Sequence, residues 1–481
     1  MKKSYALAMA IAALTGAASA QDVAKEIESA KSAAAAADTK ATAAKSVAAA
    51  AEAKVAATDA KLEATDDKLD ATKGKLDGLE ESYLETKSTV DALAKIKVTG
   101  LIQARAELSR ADSGGLDAGL SSTTSRFKVR RGRLKVSHSG NLGDWAVQAQ
   151  YGEKGLELQD IYGTAYDPWG LFKLRVGAQD IPFGFEIGYS SSSMETMERS
   201  LAEQKVFKGE KDLGAVLFLA YDKGIFQYVD FKAGIVNGSM NVVQVQENDN
   251  GKAGVGRLGF KVPLKDLNFE IDGGASYYYN VQTTRADTVI DYDNQLGNHL
   301  TTGNTKVAKN PNKGADLELK KSIFGADLQA YASILPFGGT VLRGEFYTGT
   351  NVSLDNNAPF DNSANAFIRP VTGWYTTLIQ NIGNDFQLVG RYEQFDPNTK
   401  LEGDAIGAKV NGTAIGNSND LAYSQISVGV NYFLSGNVKL SVAYDHKVNE
   451  TSAALKNANP RKDYSGEVEN DLTTLQLQYK F

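Results

Sequence analysis

The feature of this sequence that most restricts its fold is an alternation of apolar and polar residues with a period of two, which begins near Ile96 and continues to the last residue. The final segment, LQLQYKF at 475–481, shows the pattern, with Tyr479 and Phe481 among its apolar residues. Period two describes a strand with one side in an apolar medium and the other in water. Segments of about ten such residues, separated by turns, are typical of a transmembrane β-barrel.

A soluble β-sandwich also alternates in this way, but two features favour a barrel. No helical pattern interrupts the alternation, and the connections are of unequal length. Short turns such as 140–143 interleave with long polar loops such as 398–420, which is the asymmetry of outer-membrane barrels. Counting long loops and short turns in alternation predicts about 16 antiparallel strands, on the condition that 315–334 forms a single long strand.

An even strand number predicts that the last strand closes the barrel against the first, with both chain ends on the periplasmic side. Tyr479 and Phe481 then act as the closure signal, within an aromatic girdle at the membrane interface. The interior of a barrel of this size is too wide for side chains to fill, so the polar faces of the strands predict a water-filled channel.

The first twenty residues have the pattern of a secretory signal peptide. Lys2 and Lys3 form a positively charged start, 6–14 is an apolar segment, and Ala18-Ser19-Ala20 is a cleavage site. The apolar segment is too short to span a membrane as a helix. We therefore expect residues 1–20 to direct export and to be removed.

Residues 21–95 differ in composition and have a period of seven. The segment is rich in alanine, lysine, aspartate, glutamate and threonine, and its single aromatic residue is Tyr83. Apolar residues recur every seven positions, and three positions after each of them stands mostly threonine or leucine. This heptad predicts a coiled coil, here a periplasmic stalk. The alternative is a single solvated helix. Because threonine weakens the seam, we expect other contacts to hold the chains together. The apolar heptad positions are Val55, Leu62, Leu69, Leu76, Tyr83 and Val90.

Composition argues against several other classes of protein. With 42% hydrophobic residues and a mean hydropathy of -0.30, the chain is too polar for a helical membrane protein. The absence of cysteine excludes disulfides and thiolate metal sites, and a net charge of -6 does not suggest a nucleic-acid partner. The three histidines, His138, His299 and His446, belong to no catalytic motif. We expect neither enzymatic activity nor a cofactor nor a metal.

Positive charge is concentrated on the predicted inner face of the barrel. In the strand at 126–138, Leu134 and Val136 are expected to face lipid, which turns the arginines and lysine of alternate positions inward. A charge facing the middle of the bilayer would cost roughly 2–4 kcal/mol, so this orientation is strongly favoured. The candidate channel-lining and anion-selecting residues are Arg105, Arg131, Arg133, Lys135, Lys173, Arg175, Arg199, Lys205, Lys208 and Lys211.

Carboxylates are expected on the same inner surface or in its loop, namely Glu107, Glu186, Glu345, Glu393 and Asp445. A ring of arginine and lysine selects anions because it replaces their hydration and focuses a positive potential. We therefore expect a preference for anions. The alternative is a mixed field of both signs, as in general diffusion pores.

One stretch, 126–212, goes beyond periodicity. An Arg/Lys-rich strand is followed by Asp144-Trp145, then by RVG at 175–177, PFGFE at 182–186 and ERS at 198–200. In combination these motifs resemble the phosphate-selective porins O and P, a family of Gram-negative outer-membrane porins.

The resemblance implies a 16-stranded, usually trimeric porin whose third long loop, here about 180–211, folds inward as a constriction. The phosphate site of the type members does not align by motif, so the resemblance carries no phosphate specificity to this chain. The residues of the constriction-loop motif are Pro182, Phe183, Gly184, Glu186, Glu198 and Arg199.

The sequence therefore predicts an outer-membrane porin for passive diffusion of small hydrophilic solutes, with an all-β transmembrane barrel at 96–481 behind a coiled coil at 21–95. The expected partners are outer-membrane lipid, small anionic or hydrophilic solutes, further copies in a homotrimer, and the cell wall through the stalk. The alternative is a structural protein, a plugged barrel whose coiled coil braces the envelope against the cell wall.

Overall fold

The structure is a computed structural model, and its chain divides into two units, Met1–Leu93 and Ala94–Phe481. The described residues are 20–109, 125–153, 155–207, 209–239, 250–286, 288–296, 307–309, 316–333, 335–354, 365–410, 413–456 and 463–481. The predicted signal peptide lies, except for its last residue, outside them.

The first unit contains one long helix, α1 (Ala20–Ala94). Alanine, lysine and glutamate favour helix, and the segment contains no proline. At heptad positions Thr58, Thr65 and Thr72, each hydroxyl donates to the carbonyl four residues earlier at 2.7–2.8 Å. The predicted helix is confirmed, while its association into a coiled coil remains a prediction. Within the described part of the chain, no helix combines the length and apolarity needed to cross a membrane.

The second unit is a closed antiparallel barrel of sixteen strands, as predicted. Among the described residues of its connections are four further short strands, β10 (Thr288–Asp291), β11 (Val307–Lys309), β16 (Lys409–Val410) and β17 (Thr413–Ala414). The barrel strands are β1 (Ile96–Ser109), β2 (Ser125–Ser139), β3 (Gly143–Gly152), β4 (Gly155–Tyr166), β5 (Phe172–Asp180), β6 (Lys211–Leu219), β7 (Val229–Val236), β8 (Ala253–Leu264), β9 (Phe269–Thr284), β12 (Leu317–Ala332), β13 (Thr340–Leu354), β14 (Asn365–Ile382), β15 (Phe386–Asp396), β18 (Tyr423–Phe433), β19 (Val438–Asn449) and β20 (Leu472–Lys480).

The barrel closes where β20 pairs with β1, from Leu101 opposite Lys480 to Ser109 opposite Leu472. Beyond this ladder, the backbone N–H groups of Gly100 and Phe481 donate to each other's carbonyls at 2.8 and 3.1 Å. Closure satisfies the backbone groups of both edges, which lipid cannot do. The reading of 315–334 as one strand, β12, is also confirmed.

The two faces of the strands differ as period two requires. On β1, Gln103, Arg105 and Glu107 are buried in the interior, whereas Ile102 and Leu108 are exposed on the outside. An apolar outer face and a polar inner face are typical of a barrel whose outer surface contacts lipid.

A bulge in β2 changes this pattern at one place. Gln103 pairs with Arg131, but the next residue, Ala104, pairs with Val129, so Arg130 is an extra residue in β2. A bulge places consecutive side chains on the same side of a strand. Arg130 and Arg131 therefore both face the interior, where both contact the carboxylate of Glu198.

The connections are long at one end of the barrel and short at the other, with one exception. The strands β3 and β4 are joined at the long-loop end by residues 153–154 alone. Three of the long loops, those after β9, β15 and β19, pack together through an apolar cluster that includes Tyr292, Leu401 and Leu455.

Candidate functional site: the inward loop and the cationic row

The connection between β5 and β6, residues 181–210, is here called the inward loop. It packs against the inner wall through a mostly apolar cluster centred on Phe183, whose ring lies 4.5 Å from that of Phe207 and 5.8 Å from that of Tyr347, between ring centres. The ring rests on Gly325 of β12, where a Cβ would lie 2.7 Å from it. Small residues on the wall therefore make room for the loop.

The motif PFGFE turns the chain against β13. Gly184 has a φ of +62°, a conformation that favours glycine, and a side chain there would collide with Glu345. Glu345 accepts hydrogen bonds from the N–H of Phe185 and of Glu186 and from the hydroxyl of Tyr375. The carboxylate thus fixes the turn to two strands.

Further polar contacts attach the inward loop to other strands of the inner wall. Glu186 forms an ion pair with Arg391 of β15 at 2.6 Å, and Glu393 accepts from the N–H of Leu201 at 2.7 Å. Leu201 begins the short helix α2 (Leu201–Val206), which Ser200 caps. On β19, Lys439 donates to a loop carbonyl at 2.7 Å. The loop is therefore held on several sides.

Glu198 lies at the far side of the loop, against β1 and β2. Its carboxylate is 2.6 Å from Arg105, 2.7 Å from Arg130 and 3.7 Å from Arg131. Its position inside the barrel would by itself raise the pKa of Glu198, but the three arginines hold it well below its usual range. Glu198 therefore carries a full negative charge among more numerous positive ones.

Six cations of β2, here called the cationic row, face the interior. Arg133 has no carboxylate within 4.0 Å among the described residues; it donates to Gln150 and Ser191 at 2.6 Å. The Nε of Arg131 is buried without a hydrogen-bond partner in the same part of the chain. The members of the row are Arg126, Lys128, Arg130, Arg131, Arg133 and Lys135.

The row and its neighbours carry an excess of positive charge. The row together with Arg105 and Lys211 makes eight cations. Within the described residues seven of them pair with five carboxylates, and the eighth, Arg133, pairs with none. Those carboxylates are Glu107, Glu153, Glu198, Asp160 and Asp180.

The other predicted cations have different surroundings. Arg199 is buried within the loop, where it pairs with Glu210 and donates to loop carbonyls, and Lys211 is buried between Asp160 and Asp180. Lys205 is exposed on α2. Lys173 and Arg175 face the interior on β5, away from the inward loop's contacts with β1 and β2. Lys208 lies outside the described residues.

The predicted carboxylates lie inside the barrel. Glu107, Glu345 and Glu393 are buried on the inner face, Glu186 is buried in the loop, and Asp445 is half-buried on β19. Sequence reasoning missed several interior cations: Arg126, Lys128, Arg130, Arg343, Arg391 and Lys439.

For β2 a signal was available. Phe127 and Val129 have odd numbers, whereas Leu134 and Val136 have even numbers. Strict alternation would place the two pairs on opposite faces, yet all four are apolar and belong to the outer face. Such a change of parity within one strand indicates a bulge between the two pairs.

A family model described as phosphate-selective porin O and P matches residues 102–260. The predicted resemblance is confirmed. The matched segment contains the cationic row and the whole inward loop. No curated protein matches the chain.

Among solved structures, OprB of Pseudomonas putida has a TM-score of 0.55 at 10% identity, covering 82% of this chain and 96% of its own. The anion-selective porin from Comamonas acidovorans has a TM-score of 0.46 at 10% identity, covering 80% and 99%. The trimer form of OmpT from Vibrio cholerae has a TM-score of 0.46 at 9% identity, covering 80% and 99%. The likeness to OprB concerns the fold. Together with the family match, it supports a channel in the outer membrane rather than an enzyme.

Proposed function

We propose that this protein is an outer-membrane porin through which small hydrophilic solutes diffuse passively, with a preference for anions. The observation that carries the proposal is the excess of cations over carboxylates where the cationic row meets the inward loop. In a narrow passage with low-dielectric walls, such an excess focuses a positive potential and raises the local concentration of anions.

The accessible surface of the interior supports an open passage beside this row. The side chains of Arg130, Lys135 and Glu198 are 27%, 30% and 35% exposed. By contrast, Arg391 and Glu186, on the opposite side of the loop, are each 3% exposed. Solvent therefore reaches the charges of β2, whereas the ion pair behind the loop serves to hold it in place.

Single-channel recording in a planar bilayer under a potassium chloride gradient tests the proposal. The expected result is a stable conductance with a zero-current potential that has the same sign as the equilibrium potential of chloride. Conductance with a potassium-selective potential would contradict the anion preference alone. Absence of any conductance from correctly folded protein would contradict the porin.

A second candidate is the structural one, a plugged barrel that braces the envelope. The observation in its favour is the extent of the loop's contacts, which include β13, β15, β19, β1 and β2. Conductance separates the two candidates, because only the porin requires an open interior.

The remaining parts of the proposal concern export and assembly. A signal peptide at 1–20 and a periplasmic coiled-coil stalk at 21–95 fit the sequence patterns, and a homotrimer fits the family resemblance. The long coil departs from the simplest members of that family. The heptad residues of α1, including Leu62, Leu69 and Leu76, are more than half exposed in the single chain. Burying them against further copies would stabilise an oligomer.

A further inference from the structure

The inner face of β4–β6 carries a group of residues that adjoins the cationic row at Tyr162, whose ring centre lies 5.7 Å from the Nζ of Lys135. It is here called the aromatic–cationic patch: Tyr162, Tyr166, Lys173, Arg175 and Phe218. The strand register places them together, since Tyr166 pairs with Lys173 and Lys173 pairs with Phe218. The intervening side chains, such as Leu174 and Val176, are exposed on the outer face. The patch therefore faces the interior.

The cations of the patch lie over aromatic rings. The guanidinium carbon of Arg175 is 3.9 Å from the ring centre of Tyr162 and 5.1 Å from that of Phe218. The Nζ of Lys173 is 4.8 Å from the ring centre of Tyr166. These distances are in the range of cation–π contacts. The Nε of Arg175 also donates to Thr164 at 3.0 Å.

These contacts hold the cations without neutralising them. In the part of the chain that the structure describes, neither Lys173 nor Arg175 has a carboxylate within 4.0 Å. The nearby Asp144 accepts from the Tyr166 hydroxyl at 2.6 Å, and Asp160 is engaged by two lysines. A ring attracts a cation but leaves its net charge, whereas a carboxylate cancels it.

The shape of the patch suits one class of anion. The two terminal nitrogens of Arg175 have no hydrogen-bond partner among the described residues, and such a fork matches the two oxygens of a carboxylate. The rings beside it offer apolar surface to the body of a solute. A strongly hydrated inorganic anion gains nothing from that surface and loses water to reach it.

We propose that the aromatic–cationic patch is a binding station for monocarboxylates with an aromatic or otherwise apolar body, such as benzoate, and that it prefers them to inorganic phosphate. The proposal rests on the proposed function only in that solutes must enter the barrel. It assigns to β4–β6 a selectivity that the cationic row does not provide.

The test uses the full-length protein in a planar bilayer, with chloride current as the readout and benzoate, phosphate and benzamide as probes. Benzoate is expected to reduce the current at a concentration about tenfold lower than phosphate, since one charge-assisted contact plus ring burial is of that order. Uncharged benzamide is expected to have little effect. Equal or stronger block by phosphate would overturn the proposal.

Two variants locate the effect. Arg175→Gln is expected to weaken the benzoate block about tenfold, and Phe218→Leu to weaken it less while keeping every charge. The matched control is Lys261→Gln, which removes an interior cation that pairs with Glu270 at 2.9 Å, and it should leave the benzoate block unchanged. Benzoate block unaltered in folded Arg175→Gln would overturn the assignment.

Calorimetric titration of benzoate into the detergent-folded full chain separates this inference from the porin proposal. Binding that is lost in Arg175→Gln would support the patch even in a barrel that does not conduct. Absence of binding to the folded wild-type protein would remove the patch as a site, whatever the conductance.

Discussion

Arg130 and Glu198 form a two-point ion pair, with Nε 2.7 Å from one carboxylate oxygen and Nη2 2.9 Å from the other. Arg105 of the neighbouring strand donates to the same carboxylate at 2.6 Å. One acidic side chain thus joins the inward loop to β1 and β2. The same carboxylate also offsets positive charge that passing solutes would otherwise meet.

Replacing this carboxylate should therefore increase anion selectivity. In Glu198→Gln the amide oxygen still accepts from the arginines, and Gln476 still accepts from Arg105, but one negative charge is lost. We expect the zero-current potential under a salt gradient to move further towards the chloride value. The matched control, Glu318→Gln, makes the same change at an exposed position of β12. A shift towards potassium, or equal shifts in both variants, would contradict this role.

Glu203 of α2 should make the packing of the inward loop depend on pH. Both of its carboxylate oxygens are buried without a hydrogen-bond partner among the described residues. Burial and the neighbouring Glu210 raise the pKa of Glu203 well above its usual range; Arg199 opposes this, and Glu186 and Glu345 add to it. The folded loop then binds a proton that the opened loop releases. Its stability should accordingly fall as pH rises above the ordinary carboxyl pKa of about 4.3.

Hydrogen exchange of α2 at pH 6 and pH 8 tests this dependence. Protection of Leu201–Val206, corrected for intrinsic exchange rates, should decrease with pH in the wild type, by at most about 1.4 kcal/mol per pH unit. Glu203→Gln should remove most of the decrease, since a neutral amide cannot ionise. Glu402→Gln, at an exposed loop position, serves as control. The same pH dependence in Glu203→Gln and wild type would show that another group is responsible.

The strands could be predicted because the alternation that marks a strand lies within the strand's own residues. Ile426, Val428 and Val430 alternate with polar residues and lie on the outer face of β18 as expected. The bulge at Arg130 was missed because strict alternation assigns neighbouring residues to opposite faces. Its trace was the change of parity between Val129 and Leu134.

The path of the inward loop was predictable only through the family resemblance. Glu186 pairs with Arg391, 205 residues away, and no local spacing encodes such a contact. For the same reason Arg199, expected to line the channel, was found to be buried against loop carbonyls and Glu210. Charge identifies a candidate residue, but tertiary contacts decide whether a solute can reach it.

Barrel closure should depend on the last residues of β20. Phe481 donates its N–H to Gly100, and its ring occupies the space above that glycine. Deleting Tyr479–Phe481, or making Phe481→Asp, should impair membrane assembly, because an open edge leaves backbone groups unpaired in lipid. Phe481→Leu, which keeps an apolar group, is the control. Normal heat-modifiable electrophoretic mobility of the truncated protein would contradict this prediction.

The helix α1 should be dispensable for the barrel. It contributes no strand, so removal of residues 22–94 should leave a heat-modifiable barrel. The oligomer should persist as well if contacts between barrels dominate, as the threonine-containing seam suggests. Sedimentation in detergent measures this directly. Collapse to monomers would show that the helices supply the association energy.

The most direct test of anion selection is the zero-current potential of Arg131→Glu with Arg133→Glu under a potassium chloride gradient. Both side chains face the interior beside Glu198 and Ser191, so the outer face is unaltered and folding should be spared. Clustered charges in a narrow passage act over short range and are only partly screened by salt. We predict that conductance survives while the potential moves towards potassium. An unchanged potential in the folded double variant would contradict the assignment of these arginines to the channel, and with it the anion preference.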